Sequence, residues 1–123
     1  MKQFNATGLS SGKGPYSQAI ITDKYIFISG QIPINSNSGK IDSGTLSGQT
    51  EQVIKNINII LAELNKSFAD VVKTTCFLTD MSGFAIFNRI YERAFKSLPA
   101  RSCVEVNNLP LNSKVEIELI IEA

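Results

Sequence analysis

The stretch Val115-Glu116-Ile117-Glu118-Leu119-Ile120-Ile121-Glu122 alternates over most of its length. Val115, Ile117, Leu119 and Ile121 fall on one face, with Glu116 and Glu118 on the other, which is the two-residue period of a half-buried strand. The stretch 101–107 repeats the pattern, with Val104 and Val106 opposite Arg101, Cys103 and Glu105. If these two strands form an antiparallel hairpin, their apolar residues share the core side. That pairing sends Arg101, Cys103, Glu105, Glu116 and Glu118 to the other side together. Ile120 interrupts the polar pattern, and Tyr25-Ile26-Phe27-Ile28 is apolar on both faces. A sheet face that is half apolar and half charged predicts an oligomer interface containing a site.

Outward from this pair, the other elements follow from periodicity and turn residues. Residues 16–22 and 25–29 read as two strands around Asp23-Lys24. Residues 8–15 and 33–44, rich in Gly, Ser and Asn, read as loops. A helix is predicted from about Thr45 to Lys66, because Val53, Ile57, Ile60, Leu61 and Leu64 keep the helical period. Val71 to Thr79 is a strand. Ser82 is the expected N-cap of a second helix running to about Ser97, with Phe84, Phe87, Tyr91 and Phe95 as its buried stripe and Pro99 beyond its end. The order β-β-α-β-α-β-β predicts a single α+β domain over residues 1–123, with two helices on one face of a mixed sheet.

Composition bounds the chemistry. At 123 residues, 43% hydrophobic and 19% charged, the chain is long and apolar enough to fold without a disulfide or metal staple. A net charge of +1 gives no broad attraction for nucleic acid or membrane. Histidine is absent, which excludes a Ser-His-Asp triad and a Cys/His zinc site. Proton transfer falls to carboxylate, Tyr, Cys, Lys or water. Cys76 and Cys103 have no metal-ligand spacing and suit a reducing compartment. Residues 1–16 lack the apolar segment of a signal peptide, and no run of about 18 apolar residues occurs, so a soluble cytoplasmic protein is expected. Gly12-Lys13-Gly14 lacks the rest of a phosphate-loop pattern.

Five stretches stand in order along the chain: Gly14-Pro15-Tyr16-Ser17-Gln18-Ala19, Ser29-Gly30-Gln31-Ile32-Pro33, Asp70-Val71-Val72-Lys73-Thr74-Thr75, Pro99-Ala100-Arg101-Ser102-Cys103-Val104-Glu105-Val106 and Val115-Glu116-Ile117-Glu118. Together they resemble the reactive-intermediate deaminase (Rid, or YjgF) family. Pro-Ala-Arg-Ser is the sharpest. The resemblance implies a chorismate-mutase-like homotrimer with sites at subunit interfaces, hydrolysing small 2-imino acids to 2-keto acids and ammonia without a cofactor. It implies that Arg101 binds the substrate carboxylate and Glu116 handles the reacting water. Tyr16, Ser29, Asn88 and Cys103 would line the pocket. The short connection from Phe95 to Pro99 and the stretch Ser10-Ser11-Gly12-Lys13 depart from the family pattern at the expected pocket rim.

Read without the resemblance, each residue has a plainer role. Arg101 is a salt-bridge residue, Glu116 a solvated strand residue, Tyr16 a loop anchor and Ser29 a turn residue. Asn88 is disfavoured inside a helix and so has a specific partner, backbone or ligand. Cys103 is a buried small hydrophobe, and with no histidine to activate it a covalent role is not expected. Glu105 and Glu118 are read as structural. Two rival functions stay open: a ribonuclease or translation inhibitor, against which the charge balance and missing histidine argue, and a non-catalytic trimer that binds small carboxylates or acts as a chaperone.

Overall fold

The computed structural model describes residues 1–9 and 14–123; positions 10–13, on which part of the expected first loop and the Gly-Lys-Gly reading fall, lie outside the described residues. Eight elements run in order: β1 (Lys2–Phe4), β2 (Ala19–Ile21), β3 (Tyr25–Gln31), α1 (Leu46–Glu63), β4 (Val71–Leu78), α2 (Phe84–Ala94), β5 (Ala100–Glu105) and β6 (Val115–Glu122). Three short 3₁₀ turns join them, at Phe68–Asp70, Met81–Gly83 and Pro110–Asn112. The strands form one mixed sheet in the order β1-β2-β3-β6-β4-β5. This is the expected α+β architecture with one added strand, since three-residue β1 is too short to show a period.

Both helices pack on one side of the sheet. Val53, Ile57, Ile60 and Leu61 of α1 and Phe87, Tyr91 and Phe95 of α2 meet Val115, Ile117, Leu119 and Ile121 of β6, all of them buried. Thr45 caps α1 by accepting from the Gly48 amide at 3.1 Å. Along α2, Tyr91 stacks on Phe95 with centroids 4.2 Å apart, and Phe68 meets Phe95 edge-on at 5.0 Å. Ser82 is not the cap of α2. Asp80 accepts from the Ser82 amide at 2.9 Å and caps the preceding 3₁₀ turn, while α2 begins after Gly83 without a side-chain cap. The helix ends three residues earlier than expected, and Leu98 then takes a left-handed φ of 54°.

The expected β5–β6 hairpin does not form. β4 lies between the two strands, pairing antiparallel with β6 and parallel with β5. The cause is α2: a helix between two strands returns the chain to the same end, so β4-α2-β5 is a βαβ unit with parallel strands. The faces change with the pairing. Thr74, Cys76 and Leu78 are buried against the helices, and their β5 partners are Arg101, Cys103 and Glu105. Those three residues therefore stand on the helix side, not with Glu116 and Glu118. The outer face carries Ser102 and Val104 beside Thr75 and Phe77, which in turn pair with Glu118 and Glu116.

The outer face is mixed in character, as the sequence suggests. Phe27 is 45% exposed and Val104 44% exposed there, and Phe27 pairs with the half-buried Ile120. Glu116 and Glu118 flank this apolar surface on β6. No described helix is long and apolar enough to cross a membrane.

Candidate active site

The six expected site residues fall into two groups. Tyr16, Ser29 and Glu116 line one cavity of about 260 Å³ with Gly30, Ile32 and Pro110. Asn88, Arg101 and Cys103 gather on the other side of the sheet, at the edge where α2 covers β5. Within one protomer the Arg101–Glu116 pair is not brought together.

The first group is shaped by an irregular strand. Ile28 pairs with Leu119 and Gln31 with Ile117, so Ser29 and Gly30 together oppose the single residue Glu118. Such a bulge bends the strand and redirects its side chains. Here it is pinned: the Ser29 amide donates to Gln18 O at 2.8 Å, the Ser29 hydroxyl to Ser17 O at 2.7 Å, and Gln31 Nε2 to Ser29 O at 3.0 Å. With its proton committed, the Ser29 hydroxyl faces a ligand as an acceptor.

Glu116 is half-buried, and its carboxylate has no hydrogen-bond or ion-pair partner among the described residues. Burial pushes its pKa up, and the Glu118 charge pushes it further. A carboxylate whose proton affinity is raised in this way is better suited to general base catalysis than an ordinary one. Tyr16, 57% exposed, lays its ring against Gly14 and lines the cavity.

The second group presents a cation without a counter-ion. Arg101 Nη1 donates to Asn88 Oδ1 at 2.7 Å. The guanidinium also lies over the rings of Tyr91, at 4.8 Å, and Phe84, at 5.5 Å. Phe84, Asn88 and Tyr91 sit at i, i+4 and i+7 of α2, so one helical stripe holds the whole group. Among the described residues the single salt bridge is Arg93–Glu51, on exposed side chains, and none reaches Arg101. Most of the five N–H donors therefore remain for an external anion, in a fork that matches a carboxylate. Tyr91 is fixed from below by a 2.7 Å hydrogen bond between its hydroxyl and that of Thr74, the β4 residue paired with Arg101.

Cys103 is half-buried beside Arg101. Burial raises its thiol pKa more than the guanidinium lowers it, so the thiol stays protonated, as does Cys76, pushed up to about 12 by burial. Both facts oppose a thiolate nucleophile. Glu105 accepts from the Met81 amide at 2.8 Å and is structural. A depression of about 590 Å³ between α1 and α2 contains none of the expected site residues. No described group of His, Cys, Asp and Glu has the arrangement of a metal site.

The sequence missed Phe84 and Tyr91 as cradle residues, and Gly30, Ile32 and Pro110 as cavity walls. The α2 stripe signalled the first two, but an aromatic at helical spacing reads equally as core.

Two helices on one face of a six-stranded mixed sheet define an α+β domain, here with an arginine that lacks a counter-ion on the helix side and a half-buried carboxylate on the other. Comparison with known proteins gives the family: residues 9–123 match the one described as Endoribonuclease L-PSP, and the chain belongs to it, together with the Rid and YjgF proteins. The human protein named 2-iminobutanoate/2-iminopropanoate deaminase is 44% identical over 108 residues, covering 87% of this chain and 79% of that protein. A RutC family protein of Pyrococcus abyssi is 47% identical over 108 residues, covering 87% and 85%. The structure of E. coli TdcF with bound serine superposes with a TM-score of 0.92 at 32% identity, covering 100% of this chain and 99% of that one.

Proposed function

We propose that the protein is a deaminase that hydrolyses reactive 2-imino and 2-enamino acids to 2-keto acids and ammonia, in sites assembled between the subunits of a homotrimer. One observation carries the reading: the Arg101 guanidinium is held only by neutral groups, the Asn88 amide oxygen and two aromatic rings. An arginine kept for structure would be neutralised by a carboxylate; this one keeps its charge for a ligand. The names of the human and mouse relatives support the substrate class, and the serine bound to TdcF supports a small α-carboxylate ligand.

The placement of Arg101 and Glu116 on opposite sheet faces supports a shared site, with Asn88, Arg101 and Cys103 from one subunit facing Tyr16, Ser29 and Glu116 from the next. The exposed Phe27 and Val104 give the outer face the apolar area that subunit contact needs. Arg101 pairs with the substrate carboxylate and fixes the C=N carbon. The Ser29 oxygen accepts from the imine N–H. Glu116 takes a proton from the attacking water as the C–O bond forms and passes it to the nitrogen as the C=N double bond opens, which gives the neutral carbinolamine and returns the carboxylate. The carbinolamine hydroxyl proton then moves through Glu116 to the nitrogen, the C–N bond breaks as C=O forms, and ammonia leaves the keto acid behind. An imine is already activated towards water, so the steps call on no cofactor.

The family description names an endoribonuclease. A lone guanidinium in an aromatic cradle and an unpaired carboxylate suit a small monoanion better than a phosphate backbone. The test is a coupled assay in which a dehydratase acting on threonine or serine generates the imine and keto-acid release is followed. Acceleration by a trimer in sedimentation supports the proposal; no acceleration, or a stable monomer at micromolar concentration, refutes it.

A further inference from the structure

We infer that Gly30 is a positioning residue for Glu116: the missing side chain of this bulge residue is the space in which the carboxylate is seated. The inference builds on the proposed function and adds to it a residue of the cavity wall that acts through Glu116.

A Cβ at Gly30 would lie 2.4 Å from Glu116 Oε2, 2.7 Å from Cδ and 3.0 Å from Cγ. Those distances are far inside van der Waals contact. Gly30 does not have the left-handed φ that would demand glycine for conformation, unlike Gly39, whose φ is 71° and around which a Cβ meets nothing. Gly30 is therefore required for space alone. The backbone cannot give way, because both peptide groups of Ser29 and its hydroxyl are tied to Gln18, Ser17 and Gln31. The carboxylate can give way, because no described residue holds it. An alanine at this position would thus leave the strand in place and drive the carboxylate off its seat.

The experiment uses the intact protein. Gly30→Ala should fold and assemble like the unmodified chain, with a thermal midpoint close to it. Its kcat should fall roughly ten- to a hundredfold, the order expected when a catalytic group is misplaced by about 1 Å, while KM, set by Arg101, holds. The acid limb of its pH profile should move towards ordinary carboxylate values as Glu116 leaves its half-buried place.

Glu116→Asp shortens the arm by one methylene and vacates the same space. Adding Gly30→Ala to Glu116→Asp should then cost little more than Glu116→Asp alone. Losses that multiply, an unchanged kcat and pH profile in Gly30→Ala, or a Gly30→Ala chain that does not fold would each overturn the inference. Should the unmodified trimer not hydrolyse imines, the proposed function fails on its own. A ¹³C titration of the Glu116 carboxyl would still decide the role of Gly30: a shift in Gly30→Ala supports it and no shift overturns it.

Discussion

Arg101 and Glu116 stand on opposite faces of one sheet, with β4 between their strands. Arg101 pairs with Thr74 on the helix side, and Glu116 pairs with Phe77, whose side chain points the other way. In the proposed site, a ligand touching both lies between two copies of the chain.

Complementation tests this directly. Arg101→Ala and Glu116→Gln should each be nearly inactive as pure trimers. Unfolded together and refolded as a 1:1 mixture, they should regain activity, because some interfaces then pair an intact Arg101 with an intact Glu116. Random assembly restores about a quarter of the sites in a cyclic trimer with heterologous interfaces. No regain, with mixed trimers verified by mass spectrometry, would place both residues in one protomer's site or neither.

The neutrality of the Asn88 contact leads to a second test. Asn88→Asp keeps size and shape but sets a carboxylate 2.7 Å from the guanidinium. The new ion pair competes with the substrate carboxylate for the same donors. A charged hydrogen bond is worth about 1.5–3 kcal/mol, so KM should rise roughly ten- to a hundredfold. Water attack is untouched, and kcat should change far less. Steady-state kinetics with the coupled assay separates the two constants; an unchanged KM would remove Arg101 from carboxylate binding.

How much of this was legible follows from where burial is decisive. The alternation of Val115, Ile117, Leu119 and Ile121 fixed both the strand and its core face, since all four are buried. Strand β5 is an edge strand, and neither of its faces is fully buried. Its alternation therefore carries no sign, and the assumed hairpin supplied the wrong one for Arg101, Cys103 and Glu105. The helix between β4 and β5 held the correction, because a βαβ connection makes strands parallel. Asn88 stood out as a polar residue inside a helix, but Phe84 and Tyr91 did not, because an aromatic under a guanidinium has the same spacing as one in a core. The Ser29–Gly30 bulge is a property of register against β6 and has no signal in either strand alone.

Glu116 gives a test of sign. Burial and Glu118 raise its folded-state pKa above the unfolded value. The protonated form is therefore favoured by folding, and the associated stability is present below the ordinary carboxylate range and lost as pH rises through the raised value. At neutral pH, Glu116→Gln should be more stable than the unmodified protein while losing kcat. Below the ordinary carboxylate range the difference should vanish. Thermal midpoints against pH, at equal protomer concentration, check it. A less stable Gln variant at neutral pH would mean that the carboxylate has a stabilising partner in the assembly.

Tyr91 joins two roles that substitution can separate. Its hydroxyl meets the fully buried Thr74 hydroxyl at 2.7 Å, and its ring lies 4.8 Å from the Arg101 guanidinium carbon. Tyr91→Phe removes only the hydroxyl, leaving Thr74 with Cys76 Sγ at 3.9 Å as its remaining contact. An unsatisfied buried hydroxyl costs about 1–3 kcal/mol, so the thermal midpoint should fall by several degrees. The ring still faces the guanidinium, and KM should hold. Tyr91→Leu keeps an apolar filler but removes the negative ring face, a contact worth about 0.5–2 kcal/mol, so KM should rise roughly two- to thirtyfold. Both variants lose stability, and only the leucine variant should lose affinity. If phenylalanine raised KM as much as leucine, the hydroxyl pair and not the aromatic face would be what holds Arg101 in its binding position.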